Sequence, residues 1–270
     1  MRLGMIAGNG RFPRLALEAA RKSGFEVVVV AIKEEASPDL EPLAARFYWI
    51  SLGALSRLIE ICKQEGISQV MMCGQVKHAK IFSSIVPDWR LLKLLASLDT
   101  KNTDALIGGV QKVLADEGIT LADSTLLLKE LLAPEGVLTR RKPSTDETRD
   151  LDYGRRIAGA LSAHDIGQSV VVADRACVAV EAMEGTDAML HRAASLVEGK
   201  PLRLVKASGR RRHLLFDVPV VGVQTICVMT ETGATALAVD AGRTLLLDRA
   251  ELIERADTAS IAIVSMPPLP

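Results

Sequence analysis

Unbroken apolar runs alternate with stripes of helical spacing along the first half of this 270-residue chain. Residues 3–7 are apolar and end at Gly8-Asn9-Gly10; Phe12, Leu15, Ala16, Ala19 and Ala20 then repeat at helix spacing up to Gly24. The order is strand, turn, helix. Glu26 to Ile32 is β-branched and apolar on both faces, as a strand covered on two sides must be. The pattern recurs, with a strand over Phe47 to Ile50, a helix over Leu52 to Glu65 stopped by Gly66, and a strand over Gln69 to Cys73. A helical stretch from Pro87 to Glu117, broken by the polar turn Asp99 to Thr103, follows. Proline, glycine and charge concentrate in Ala133-Pro134-Glu135-Gly136 and Arg140-Arg141-Lys142-Pro143, which marks an interdomain crossing near 130–145. Beyond it the pattern predicts a helix over Asp146 to Leu161 and a hairpin of Gln168 to Ala173 with Ala176 to Ala182. A strand over Leu202 to Lys206, a helix near Gly222 to Thr232 and three short elements ending at Pro267-Pro268 complete the chain.

These elements predict an α/β protein: an N-terminal Rossmann-like parallel-sheet domain over 1–135, then a second mixed α/β or α+β domain over 136–270. No repeat of 20 to 50 residues and no low-complexity tract interrupts it.

Composition narrows the class. Hydrophobic residues at 49% and charged residues at 24% suit a folded globular chain and exclude a disordered one. Thirty-three basic residues balance 33 acidic ones, so no global field gathers nucleic acid, and 3% aromatic residues leave little for base stacking. Cys62, Cys73, Cys177 and Cys227 form no C-x-x-C pair and read as small buried hydrophobes. The opening run is too short for a signal peptide and no later run suits a membrane span, which gives a cytoplasmic expectation.

Three segments carry candidate chemistry. Gly8-Asn9-Gly10-Arg11-Phe12-Pro13 follows a strand and opens a helix, where amide groups and the helix dipole can face a phosphate. Pro13 occupies the third slot of G-x-G-x-x-G, and the end of the second strand, Ile32-Lys33-Glu34, offers no clear acidic candidate for a ribose, so a dinucleotide is disfavoured and a plain tight turn is the alternative. Glu181-Ala182-Met183-Glu184-Gly185-Thr186-Asp187 places three carboxylates and a hydroxyl after an apolar strand, enough to hold a hard cation, although one of them serves equally as a helix cap. Lys206 begins a basic loop, Arg210-Arg211-Arg212-His213, that leads to Asp217 among apolar residues. Such an aspartate needs a partner or a metal, or caps the following helix. The four histidines lack H-E-x-x-H spacing, and neither a G-x-S-x-G elbow nor a P-loop is present.

At these residues the chain resembles the LpxI-type UDP-2,3-diacylglucosamine pyrophosphatases. Likeness runs through Ile6 to Pro13, Asp104 to Ile107, Ala133 to Pro143, Gly167-Gln168, Glu181 to Leu190, Phe216 to Thr225 and Val239 to Asp248, nearly the whole chain. The resemblance implies a Mg²⁺-dependent hydrolase, with Mn²⁺ as the alternative ion, in which water cleaves the pyrophosphate of UDP-2,3-diacylglucosamine to UMP and 2,3-diacylglucosamine 1-phosphate. It implies Asp217 as the essential aspartate, binding metal or positioning water, with Asp187, Glu184 and Asp240 in support. Lys206 and Arg140 would contact phosphate, and Gly8, Asn9, Gly10, Thr186 and Thr225 would lie along the nucleotide and its phosphates. Where the family pattern has Gln-Asp-x-Arg-x-Asp this chain has Arg212, His213, Leu215 and Asp217, keeping only the last; imidazole suits softer ions than Mg²⁺. A lipid substrate further implies peripheral contact with the inner membrane and an aliphatic groove, and a homo-oligomer is compatible with it. The competing readings are a non-catalytic homologue that binds a nucleotide-sugar lipid, motivated by His213 and Leu215, and an NAD(P)-dependent oxidoreductase, motivated only by the glycine turn.

Overall fold

A computed structural model describes residues 2–76, 86–100, 103–164, 166–208, 215 and 218–269. It divides into two compact units, the first holding residues up to Leu128 and the second taking up the chain from Lys129, with Leu215 returning to the first.

In the first unit, strands β1 (Arg2–Ala7), β2 (Glu26–Ile32), β3 (Arg46–Ile50), β4 (Gln69–Cys73) and β5 (Thr120–Leu121) form one parallel sheet in the order β3-β2-β1-β4-β5. The chain therefore reverses its direction of travel between β1 and β4. Helix α1 (Phe12–Lys22) lays Phe12, Ala16, Leu17 and Ala20 against the sheet. Helices α2 (Leu55–Gln64), α3 (Trp89–Ser97) and α4 (Thr103–Asp116) share an apolar cluster with Val28, Val30, Val70 and Leu121. Covering both faces requires the unbroken apolar strands seen in the sequence. Helix α2 starts three residues later than its pattern suggested, because Gly53 at φ 103° makes a turn there.

The second unit is built on a six-stranded mixed sheet, ordered β6-β13-β11-β9-β7-β8. Its strands are β6 (Gly136–Val137), β7 (Ser169–Ala173), β8 (Ala176–Val180), β9 (Leu202–Lys206), β11 (Ala234–Asp240) and β13 (Ala262–Met266). Strands β9, β11 and β13 are parallel, so Lys206, Asp240 and Met266 end at one carboxyl edge, whereas β6 and β7 run antiparallel to their neighbours. A two-stranded ladder of β10 (Val220–Val221) and β12 (Leu245–Leu246) lies beside it. Helix α5 (Thr145–Ala163) covers one face, over Val170, Val172, Val205 and Ala238. Helices α6 (Thr186–Leu196), α7 (Val223–Glu231) and α8 (Arg249–Thr258) cover the other, over Val171, Leu202, Leu204 and Val239. Four elements, rather than three, follow α7. Among the described residues no helix is long and apolar enough to cross a membrane.

Candidate functional site

At the carboxyl edge of the second sheet its strands bury several polar side chains, among them Ser169, Lys206 and Asp240. Ser169 and Lys206 are opposite one another in the β7–β9 register, both on the face that carries α6. Beyond Val180 the ladder runs one residue further, as Glu181 N–H donates to Ser169 O at 2.9 Å. Gly167 lies so close to the Glu181 carbonyl that a Cβ there would overlap it. The chain then turns through Gly185, whose φ of 85° favours glycine, and starts α6 at Thr186. This turn brings Thr186 Oγ1 between two charged groups: Lys206 Nζ donates to it at 2.9 Å, and it donates to Glu181 Oε1 at 2.9 Å. Ser169 Oγ lies 3.4 Å from the same hydroxyl. Lys206 is 7% exposed and Glu181 8%, and Glu181 Oε2 has no partner among the described residues. A buried ammonium with spare donors at the end of a strand can neutralise a phosphate.

The other predicted residues divide. Asp187 follows Thr186 in the first turn of α6, half-buried, where a carboxylate suits the positive end of the helix. Thr225 stands in the first turn of α7, at the same carboxyl edge. Glu184 turns outward: it accepts from Ala182 N–H at 3.0 Å and pairs with Arg192 at 2.6 Å. Its own backbone N–H, Arg192 and the Ala182 amide hold its carboxyl below the usual range. Asp240 is on the α5 face, since strand alternation sends it the opposite way from Val239. There it accepts from Ser208 N–H at 2.7 Å and Ser208 Oγ at 2.9 Å and lies 3.5 Å from Arg155. Its oxygens are thus committed within the protein. Arg140 sits at the far end of the sheet, its backbone N–H donating to Asp257 at 2.7 Å and its side chain 90% exposed. Asp217 and His213 lie outside the described residues. Among those described, no three His, Cys, Asp or Glu side chains gather to hold a metal.

The glycine turn of the first unit is also spoken for. Gly8 N–H donates to Cys73 O at 2.8 Å, Asn9 N–H to Gln75 O at 2.7 Å, and Gln75 N–H returns to Asn9 O at 3.0 Å. Gly10 N–H donates to Asn9 Oδ1 at 2.6 Å. The Gly8 and Asn9 amides are thus bonded to the end of β4 and the loop after it, and the Gly10 amide to its neighbour's side chain, at the switch point of the sheet. The sequence set Glu181 in the carboxylate cluster without a role of its own; the structure places it against the Thr186 hydroxyl. Its signal was a carboxylate set directly after the apolar strand 176–180, five residues before a threonine.

The described residues thus form two α/β units, and one edge of the second sheet ends in the buried side chain of Lys206. Residues 2–131 match the LpxI N-terminal domain and residues 134–264 the LpxI C-terminal domain. The UDP-2,3-diacylglucosamine pyrophosphatase LpxI of Caulobacter vibrioides is 31% identical over 99% of this chain and 98% of its own length. This chain belongs to the LpxI family. Among solved structures, the biotin carboxylase domain of Hydrogenobacter thermophilus 2-oxoglutarate carboxylase aligns with 72% of this chain and 40% of its own, at 12% identity and a TM-score of 0.28. N5-carboxyaminoimidazole ribonucleotide synthetase from Thermotoga maritima aligns with 68% and 43%, at 16% identity and 0.28. In both cases this chain spans less than half of the solved one, and neither likeness bears on the chemistry here.

Proposed function

We propose that this chain hydrolyses the pyrophosphate of UDP-2,3-diacylglucosamine, giving UMP and 2,3-diacylglucosamine 1-phosphate. The observation that carries this reading is the end-to-end similarity to the C. vibrioides enzyme, with both family domains in order. The geometry supports it at Lys206. Attack of water on a phosphorus concentrates negative charge on phosphate oxygens, and a donor fixed in a buried setting stabilises that charge more than one in water; losing one such donor costs roughly 10²- to 10³-fold in kcat. Lys206, aimed by Thr186 and Glu181, fills that role. Thr225 in the first turn of α7 flanks the same edge.

Mg²⁺ dependence is a further part of the proposal, resting on the resemblance at Asp217 and on Asp187; a bound divalent ion would supply charge neutralisation at the phosphates. A lipid with a nucleotide head places the reaction in the cytoplasm, at the inner membrane surface. The test is UMP release from UDP-2,3-diacylglucosamine in mixed micelles, with Mg²⁺, Mn²⁺ or EDTA. Release that falls at least about 100-fold in Lys206→Met is expected. No release with either ion overturns the reading, and full release in EDTA removes its metal part.

A further inference from the structure

Thr186 separates a cation and a carboxylate that are each more than nine-tenths buried. Lys206 Nζ carries three donors and uses one of them on Thr186 Oγ1 among the described residues. Glu181 uses Oε1 on the same hydroxyl, while Oε2 is buried and unpartnered there. Burying an unused carboxylate oxygen costs about 1–3 kcal/mol, so a donor brought by a ligand would be stabilised there. Spare donors and a spare acceptor one hydroxyl apart match a ligand that presents an anionic oxygen next to a hydroxyl or amide N–H.

We propose that Glu181, Thr186 and Lys206 form one subsite for a sugar phosphate, with a phosphate oxygen on Lys206 Nζ and the donor beside that phosphate on Glu181 Oε2. Glu181 thereby becomes a specificity-determining residue and, through the Thr186 hydroxyl, a positioning residue for Lys206. The inference rests on the phosphorylated substrate proposed above, and it admits two sources for the donor: the amide N–H of the aminosugar or a hydroxyl of the uridine ribose.

Calorimetric titration of the full chain with inorganic phosphate, N-acetylglucosamine 1-phosphate and UMP separates these. Lys206→Met should lose affinity for all three. Glu181→Gln should keep the affinity for inorganic phosphate within about twofold and lose about tenfold or more for one sugar phosphate, the fold-change of a charged hydrogen bond. Loss for N-acetylglucosamine 1-phosphate assigns the donor to the aminosugar, and loss for UMP assigns it to the ribose. Thr186→Val should weaken binding and Thr186→Ser should restore it, a rescue that general damage to the fold would not give; thermal unfolding checks that each variant is folded. Wild-type affinity of Glu181→Gln for both sugar phosphates, or failure of the wild-type chain to bind either at 10 mM or below, about the weakest affinity worth the name, overturns the subsite. Because none of these titrations needs turnover, the subsite can fail while UMP release persists, and can stand if UMP release is absent.

Discussion

Arg141 grips both carboxylate oxygens of Glu147, Nη1 donating to Oε2 at 2.7 Å and Nη2 to Oε1 at 2.9 Å. The same carboxylate accepts from Ser144 N–H at 2.8 Å and from the Thr235 hydroxyl at 2.6 Å, while Ser144 Oγ caps the Glu147 amide at 3.2 Å. Arg141 Nε reaches Ser260 O at 2.8 Å. One carboxylate thus ties the start of α5 to β11, and through Arg141 to the entry of β13.

This pair sets an acid limit on stability. Burial alone would raise the Glu147 carboxyl, but hydrogen bonds from Arg141, Thr235 and Ser144 outweigh it and lower it from 4.5 to about 2. A depressed carboxylate contributes stability above its unfolded value, and the contribution is lost as pH falls from 4.5 through about 2. Glu147→Gln should cost about 3 kcal/mol at pH 7, since it leaves Arg141 without its charge partner. Urea unfolding at pH 7 and at pH 3 should show the gap between variant and wild type shrinking at the lower pH; a gap that stays constant contradicts the assignment.

Arg140, next to it, is expected to matter little. Its guanidinium is solvated, and its neighbour Arg141 reaches Thr235, four residues back along β11 from Val239, the register partner of Lys206. At about 3.3 Å per residue that is roughly 13 Å from the Lys206 row. Arg140→Ala should leave UMP release within about twofold and stability within about 0.5 kcal/mol. A large loss of activity with normal stability would return Arg140 to the phosphate.

Asp240 separates structural from metal roles. Held by Ser208 and Arg155 at 2% exposure, it should behave as a buried strut. Asp240→Asn is expected to cost about 3 kcal/mol by leaving Arg155 uncompensated. If Mg²⁺ supports UMP release as proposed, its half-maximal concentration should not move in this variant; a marked rise would make Asp240 a ligand.

How far the sequence carries can be read from these same residues. The strand Glu26–Ile32 was legible because a sheet covered on both faces demands unbroken apolar runs. The two-residue strands Thr120–Leu121 and Gly136–Val137 were not, being too short for any period. Lys206 and Thr186 stood out as polar residues at the ends of apolar segments, and the structure joins them. Arg140 and Asp240 were grouped with them by motif alone. Which edge Arg140 reaches depends on β6 running antiparallel to β13, and which face Asp240 takes depends on strand alternation within a sheet of non-sequential order. Both are long-range properties. The glycine turn showed its residues but not their partner, since the loop after β4 is some 65 residues away in sequence.

That turn gives a contrast between two of its glycines. A Cβ on Gly8 would stand 2.5 Å from Gln75 O and 3.0 Å from Gln75 C, which are backbone atoms fixed by the hydrogen bonds between the two loops. A Cβ on Gly10 meets nothing within 4 Å, and only its φ of 94° disfavours alanine. Gly8→Ala must therefore push the loops apart and forfeit several of their hydrogen bonds, at an expected cost of about 3 kcal/mol or more. Gly10→Ala should cost about 1–2 kcal/mol of left-handed backbone strain. Thermal unfolding followed by hydrogen exchange at Gly8, Asn9 and Gln75 should show early opening in Gly8→Ala and near-native protection in Gly10→Ala. If the order were reversed, or if Gly10→Ala lost activity while staying stable, Gly10 would be required by an approaching ligand and not by the packing of one loop on another.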